Sequence, residues 1–143
     1  MKLIVTILLA FLSITSYCQC VQCNSFKEAL KKPEKVKSII INANMHEAID
    51  SLPKSISKFE NLEFLYLTDQ TIDTIPIEIA KLTKLKELSF GGCQLRAIPD
   101  YVFQLKNLKE LVLYNNQFTE EYKKELELKC RQELPNTKLL LDL

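Results

Sequence analysis

Leu52-Pro53, Ile75-Pro76 and Ile98-Pro99 recur every 23 residues, and a full set of apolar positions recurs with them. Leu62, Leu65, Leu67, Ile72 and Ile75 form one set. Leu85, Leu88, Phe90, Leu95 and Ile98 form the next, and Leu108, Leu111, Leu113 and Phe118 a third. Within each set the offsets are 0, 3, 5 and 10, with 13 where a Pro follows. A fixed period of this length denotes stacked units, none of which can bury its apolar face alone. The chain must therefore fold as a solenoid. Residues at offsets 3 and 5 point one way from a short strand, by its period of two. Ile56 and Phe59, Ile79 and Leu82, and Val102 and Leu105 recur three apart, which predicts a short helical stretch on the return path. Pro opens that path, because it fixes φ and forgoes a hydrogen bond.

A stretched unit precedes the regular three. Val36, Ile39 and Ile41 match offsets 0, 3 and 5, but Ile41 to Leu67 spans 26 residues rather than 23. The three extra residues fall around Asn44 to Ala48 and carry His46, expected in an exposed loop. Repeats thus occupy residues 36–118. Before them, Ser25 and Glu28 have capping-box spacing, Phe26, Ala29 and Leu30 make one apolar face, and Pro33 limits the helix. Residues 19–35 are expected to be a capping helix, since the first repeat would otherwise expose its core. After them, Thr119 is an N-cap, and Glu120 and Glu121 suit the positive end of a helix dipole. Tyr122, Leu126, Cys130 and Leu134 form an apolar stripe, Pro135 ends the helix, and 138–143 is a closing strand. That makes 119–143 a C-terminal cap.

At 143 residues the chain has room for one domain. Lys2, the apolar run from Leu3 to Leu12 and the small or polar run from Ser13 to Cys18 follow the order of a secretory signal. Residues 1–18 are expected to be a signal peptide, cleaved after Cys18, with a periplasmic, cell-surface or extracellular destination. The run is shorter than the roughly 20 apolar residues of a membrane span, so no stable membrane insertion is expected after cleavage. Lipid attachment to a Cys wants a small residue before it, whereas Tyr17, Gln19 and Gln22 precede Cys18, Cys20 and Cys23. Without Lys2, the 19 basic residues become 18, against 18 acidic ones. No basic block exists to displace counterions from a phosphate backbone, which argues against nucleic acid as a partner.

Cys20, Cys23, Cys93 and Cys130 would remain after cleavage, permitting three full pairings in an oxidising compartment. Stacked strands lie about 4.8 Å apart, so several repeats separate the ends by more than the roughly 7 Å limit between bridged Cα atoms. A local bridge between Cys20 and Cys23 is expected, with Cys93 a buried thiol. Redox chemistry at Cys20-x-x-Cys23 lacks its alternating βαβ context, and a metal site lacks further ligands, since His46 is the sole histidine.

The pattern resembles the leucine-rich repeat family over roughly residues 36–120. The motif L-x-x-L-x-L-x-x-N-x-L runs here from Leu62 to Ile72, Leu85 to Leu95 and Leu108 to Phe118. The x-x-[LI]-P that follows makes it similar to the 23-residue subclass with a helical convex side. Residues 119–143 are similar to the C-terminal cap of small secreted bacterial members. The resemblance implies an α/β fold: a short curved parallel sheet on the concave face, helical turns on the convex face, a helical N-cap and a helix-plus-strand C-cap. At the family's Asn position only Asn116 conforms; Cys93 replaces it in the middle unit and Gln70 in the first. The Gln70 turn is expected to be looser.

Catalysis finds little support. One histidine, no metal-ligand cluster and no Gly-rich phosphate loop remove most mechanisms. Glu87 and Glu110 are adjacent carboxylates at equivalent positions, but Lys86 and Lys109 beside them favour a solvated charge ladder over a glycosidase-like pair. No enzyme activity, cofactor or metal is expected. Binding is better served. The outward concave residues are Phe64, Tyr66, Thr68 and Asp69; Glu87, Ser89, Gly91 and Gly92; and Glu110, Val112, Tyr114 and Asn115. Phe64, Tyr66 and Tyr114 flank the chain's two glycines, suggesting a docking notch, since Tyr is favoured at interface hot spots. About five strands give a face of roughly 300–400 Å², short of the roughly 800 Å² per partner in a standard interface. The expected function is a secreted, non-catalytic module that binds a protein or peptide, as a monomer or with weak self-association. The alternative is a structural envelope or surface protein, self-associating through the edge strand at 139–143 or through the convex Tyr101 and Phe103.

Overall fold

A computed structural model describes residues 22–46 and 48–142. The expected signal peptide and Cys20 lie outside the described residues.

Equal offsets in successive repeats stack directly, and this makes the sheet. Leu65 pairs with Leu88 and Leu88 with Leu111, in parallel register. Ile39 pairs with Leu65 in the same way across the 26-residue unit, so the extra residues are absorbed after the strand rather than within it. Among the described residues six parallel strands lie in chain order: β1 (Gln22–Cys23), β2 (Ser38–Asn42), β3 (Phe64–Thr68), β4 (Glu87–Ser89), β5 (Glu110–Val112) and β6 (Lys138–Leu140). That is one more than the sequence suggested. Gln22 and Cys23 pair with Ser38 and Ile39, so the N-terminal cap contributes a strand as well as a helix.

Strands β2 to β5 each bury their offset-3 residue, and β2 and β3 bury offset 5 as well, while the return paths run as 3-10 helices at Lys54–Lys58, Ile77–Lys81 and Asp100–Gln104. Their N-caps are Pro53, Pro76 and Pro99, and Ile56, Ile79 and Val102 turn inward from them. The inward residues of strands and return paths form one contiguous core; Leu62, Leu65, Leu85, Leu88 and Leu111 are fully buried. Burying one such Leu is worth about 1.5–3 kcal/mol.

The caps close both ends. Helix α1 is a single turn, Phe26–Ala29, whose N-cap Ser25 accepts the Glu28 N–H. Phe26 packs on Phe59, with ring centroids 6.3 Å apart. A 3-10 turn at Pro33–Lys35 follows, so the expected 19–35 helix is broken into shorter pieces. Helix α2, Glu120–Glu133, starts at Thr119, whose side chain accepts the Tyr122 N–H. Its stripe buries Leu126 and Cys130, with Leu134 at the C-cap. Lys129 lies 5.0 Å above the Phe103 ring, and Phe103 is buried. The convex Phe103 is therefore no surface for self-association. The closing strand is shorter than expected, ending at Leu140.

Candidate functional site

Strand register arranges the outward side chains in rows across the sheet. One row runs Ser38, Phe64, Glu87, Glu110 and Lys138; the next runs Ile40, Tyr66, Ser89, Val112 and Leu140. Asn42 and Thr68 open a third row. Gly91 and Tyr114 extend it, since Asp69 donates its N–H to Gly91 and Gly92 donates to Tyr114. The twelve outward residues inferred from the period thus do share one face or its turn edge.

Exposure divides them. Phe64, Tyr66, Thr68, Glu87, Gly92, Glu110 and Tyr114 are half-buried, and Asp69 and Asn115 are exposed. Ser89, Gly91 and Val112 are buried and form a floor. The expected gap at the glycines is filled. A Cβ on Gly91 would lie 2.5 Å from Tyr114 Cζ, so the Tyr114 ring lies across the Gly91 backbone. A Cβ on Gly92 would meet Asp69 Oδ1 at 2.2 Å. Gly92 has φ +70°, and Asp69 (58°) and Asn115 (51°) adopt the same left-handed conformation at the same point of their repeats. Gly92 is therefore a turn residue, and the aromatic surface is continuous rather than notched.

The charged side chains are divided among separate partners. The Tyr66 hydroxyl donates to Glu87 Oε2. Burial, reinforced by the Glu87 carboxylate, pushes the Tyr66 phenol well above its ordinary pKa, so it stays a donor. Glu110 pairs with Lys138 at 3.6 Å. On the strand-entry rim, Glu63 lies between Lys37, at 3.5 Å, and Lys86. The Lys86 hydrogen bond holds its carboxyl below the usual range. Glu63, Lys84, Lys86, Asn107 and Lys109 line a shallow depression there. Asn61, Lys84 and Asn107 stand one position before Leu62, Leu85 and Leu108, the available sequence signal for this rim.

Gln70 does not loosen its turn. Its Oε1 accepts the Ile49 N–H at 2.8 Å, while Nε2 donates to Ile41 and Thr68 at 3.1 and 3.0 Å. Asn116 makes the corresponding bonds one repeat-pair later, from Leu95 N–H and to Phe90, Leu113 and Tyr114. Cys93 donates to Leu67 O at 3.4 Å. Burial pushes the Cys93 thiol up to about 11, which keeps it protonated for that bond. His46 is half-buried rather than exposed, and its Nδ1 accepts the Asn42 N–H at 3.3 Å, closing the enlarged turn.

Cys23 is disulfide-bonded, whereas Cys93 and Cys130 are free and buried. Among the described residues no group of three or more His, Cys, Asp or Glu is arranged to hold a metal ion. Among the same residues no helix is long and apolar enough to cross a membrane.

No family model and no curated protein matches this chain. Solved structures do. A leucine-rich repeat protein of Leptospira interrogans aligns with 73% of the chain at 31% identity and a TM-score of 0.61, covering 25% of that protein. An internalin of Listeria monocytogenes aligns with 75% of the chain and 27% of its own length, at 24% identity and a TM-score of 0.52, a likeness of fold alone. The plant peptide hormone receptor RGFR1, solved in complex with RGF2, aligns with 85% of the chain and 18% of its own, at 27% identity and a TM-score of 0.56. The chain thus spans between about a fifth and a quarter of the length of these proteins.

Proposed function

The chain is a leucine-rich repeat protein, and from that premise we propose that it is an exported, non-catalytic module that binds a protein or peptide on its concave sheet. The observation that carries this is the row Ile40, Tyr66, Ser89, Val112 and Leu140, apolar or aromatic except at the buried Ser89, across the middle of a face flanked by Phe64 and Tyr114. Aromatics held half-buried by fixed neighbours lose little freedom on binding, which suits them as anchors. The Gly91 backbone fixes Tyr114 from below, and Glu87 fixes Tyr66 through its hydroxyl. The peptide-bound plant receptor supports the class of partner, and the apolar start of the sequence supports export.

The sixth strand widens the sheet by only about 4.8 Å. The face still falls short of the roughly 800 Å² that each partner contributes to a standard interface. The partner is therefore a short segment or a weakly held protein.

Capture from an exported fraction, run in parallel with wild-type bait and with Tyr66→Ala plus Tyr114→Ala, tests the site. Wild-type bait should retain its partner at least about tenfold better, since each lost anchor costs about 1–2 kcal/mol. Ile77→Ser, at an exposed convex position, should behave as wild type. Equal recovery by the double variant would remove the concave face as the site.

A further inference from the structure

The strand-entry rim carries more positive charge than its own carboxylate satisfies. Glu63 donates its N–H to Lys37 O, Lys86 to Glu63 O and Lys109 to Lys86 O, so these four residues stack in one column. The first three alternate in sign, and Glu63 serves both neighbours, Lys37 at 3.5 Å and Lys86. Lys109 breaks the alternation. It is exposed and has no ion-pair partner among the described residues. A second departure stands beside it. Asn61 donates to Glu34 O and Asn107 to Thr83 O, each tying its repeat to the one before. Lys84 occupies the same position, makes no such bond and rests its Nζ on Asn61 Oδ1 at 2.6 Å. Lys84, Lys86 and Lys109 thus border one depression of about 320 Å³, with Glu63 as its single carboxylate.

We propose that this depression is a subsite for an acidic side chain, an Asp or Glu of a peptide bound on the concave sheet. The concave-face reading supplies the peptide; the carboxylate contact rests on the rim alone. Glu63 displays the contact within the chain, one carboxylate shared by the lysines on either side of it in the column. Lys86 and Lys109 stand one column step apart, about 4.8 Å. Like charges at that spacing repel, and a carboxylate between them turns the repulsion into attraction. The volume is at the lower end of the roughly 300–1,000 Å³ of ligand pockets, room for a side chain rather than a whole ligand. An isolated acidic residue also fits better than a continuous polyanion. Glu87 and Glu110 follow Lys86 and Lys109 in the same strands, the first bonded by the Tyr66 hydroxyl and the second paired with Lys138. A polyanion laid along the rim would pass these two carboxylates and Glu63. A single carboxylate meets the lysines at the one open step.

Amide NMR spectra of the protein, titrated with the capped peptide Gly-Ala-Glu-Ala-Gly and its Gln counterpart, test this. The Glu peptide should move the signals of Lys84, Lys86 and Lys109 with a Kd of about 1–10 mM. Added salt should weaken it, and the Gln peptide should leave those signals in place. Lys84→Asn plus Lys109→Gln should weaken binding at least about fivefold, the loss of two charge contacts. That variant should stay folded, because Asn is the residue that the flanking repeats carry at position 84's equivalent. Glu63→Gln should tighten binding about twofold, since it releases Lys86 to the ligand, a gain that damage to the fold would not produce. Tyr66→Ala plus Tyr114→Ala should leave the titration unchanged, so the rim is decided here and the concave face by the capture experiment. Equal shifts from the Glu and Gln peptides, or full affinity in the double lysine variant, overturn the subsite. Weaker binding by Glu63→Gln overturns the part given to Lys86. Inorganic phosphate binding more tightly than the Glu peptide overturns the assignment to a peptide carboxylate.

Discussion

The turn after each strand leaves backbone groups from two successive repeats facing one another inside the protein, and one side chain per repeat must satisfy them. Asn116 does so across the regular spacing, reaching Leu95 N–H and Phe90 O. The preceding repeat is longer by three residues, between Ile41 and Ile49. The two groups that Gln70 bridges are that Ile41 carbonyl and Ile49 N–H. The extra methylene of Gln and the extra residues of the loop are therefore matched. Gln70 is 2% exposed, so its partners have no water to replace it. Gln70→Leu should cost about 2–4 kcal/mol in urea unfolding, since it strands a buried donor and acceptor whose desolvation is worth roughly 1–3 kcal/mol each. Gln70→Asn should cost less but remain measurable, because the shorter amide reaches one side of the turn only. If Gln70→Asn matches wild type, the length argument is wrong.

At the scale of the element, the C-terminal helix tests whether capping or packing holds the end of the solenoid. Thr119 supplies one cap bond, to Tyr122 N–H at 3.2 Å, in an exposed setting. Leu126 is 2% exposed against the last repeat. Thr119→Ala should cost about 1 kcal/mol and Leu126→Ala about 2–5 kcal/mol, both read from urea midpoints. The reverse order would mean that the helix stands on its own propensity rather than on the core it covers. Much of this element was legible in advance, because Tyr122, Leu126, Cys130 and Leu134 recur at helical spacing and Thr119 has the chemistry of a cap. Strand β1 was not legible, since Gln22 and Cys23 are too few to show a period. The concave residues were legible as a set through their alternation. The ring of Tyr114 over Gly91 was not, because a side chain's lean across strands follows its rotamer and neighbours rather than any repeat. Gln70's role was hidden for a related reason: it depends on the spacing of two backbone groups in the preceding repeat.

At the scale of the molecule, each repeat touches chiefly its neighbours, so stability is a sum of repeat terms and the interfaces between them. The interior repeats are nearly interchangeable in register: Leu65, Leu88 and Leu111 align, as do Glu87 and Glu110. The hydrogen bonds between turns repeat in the same way, with Thr71, Gln94 and Gln117 each donating to the offset-10 carbonyl one repeat earlier. Duplicating residues 85–107 therefore inserts a unit whose two faces already fit what lies on either side. Cys93 in the copy would donate to Phe90 O, the group that Asn116 uses now. The caps would meet the same surfaces as before. The enlarged protein should fold, show a urea m-value larger in proportion to its added buried surface, and unfold at a higher midpoint. Because one contiguous core runs through every repeat, far-UV circular dichroism and tyrosine fluorescence should report a single coincident transition in both proteins. A lower midpoint with an unchanged m-value would show that the repeats are individually fitted to their positions, and that the 23-residue period describes their geometry but not their energetics.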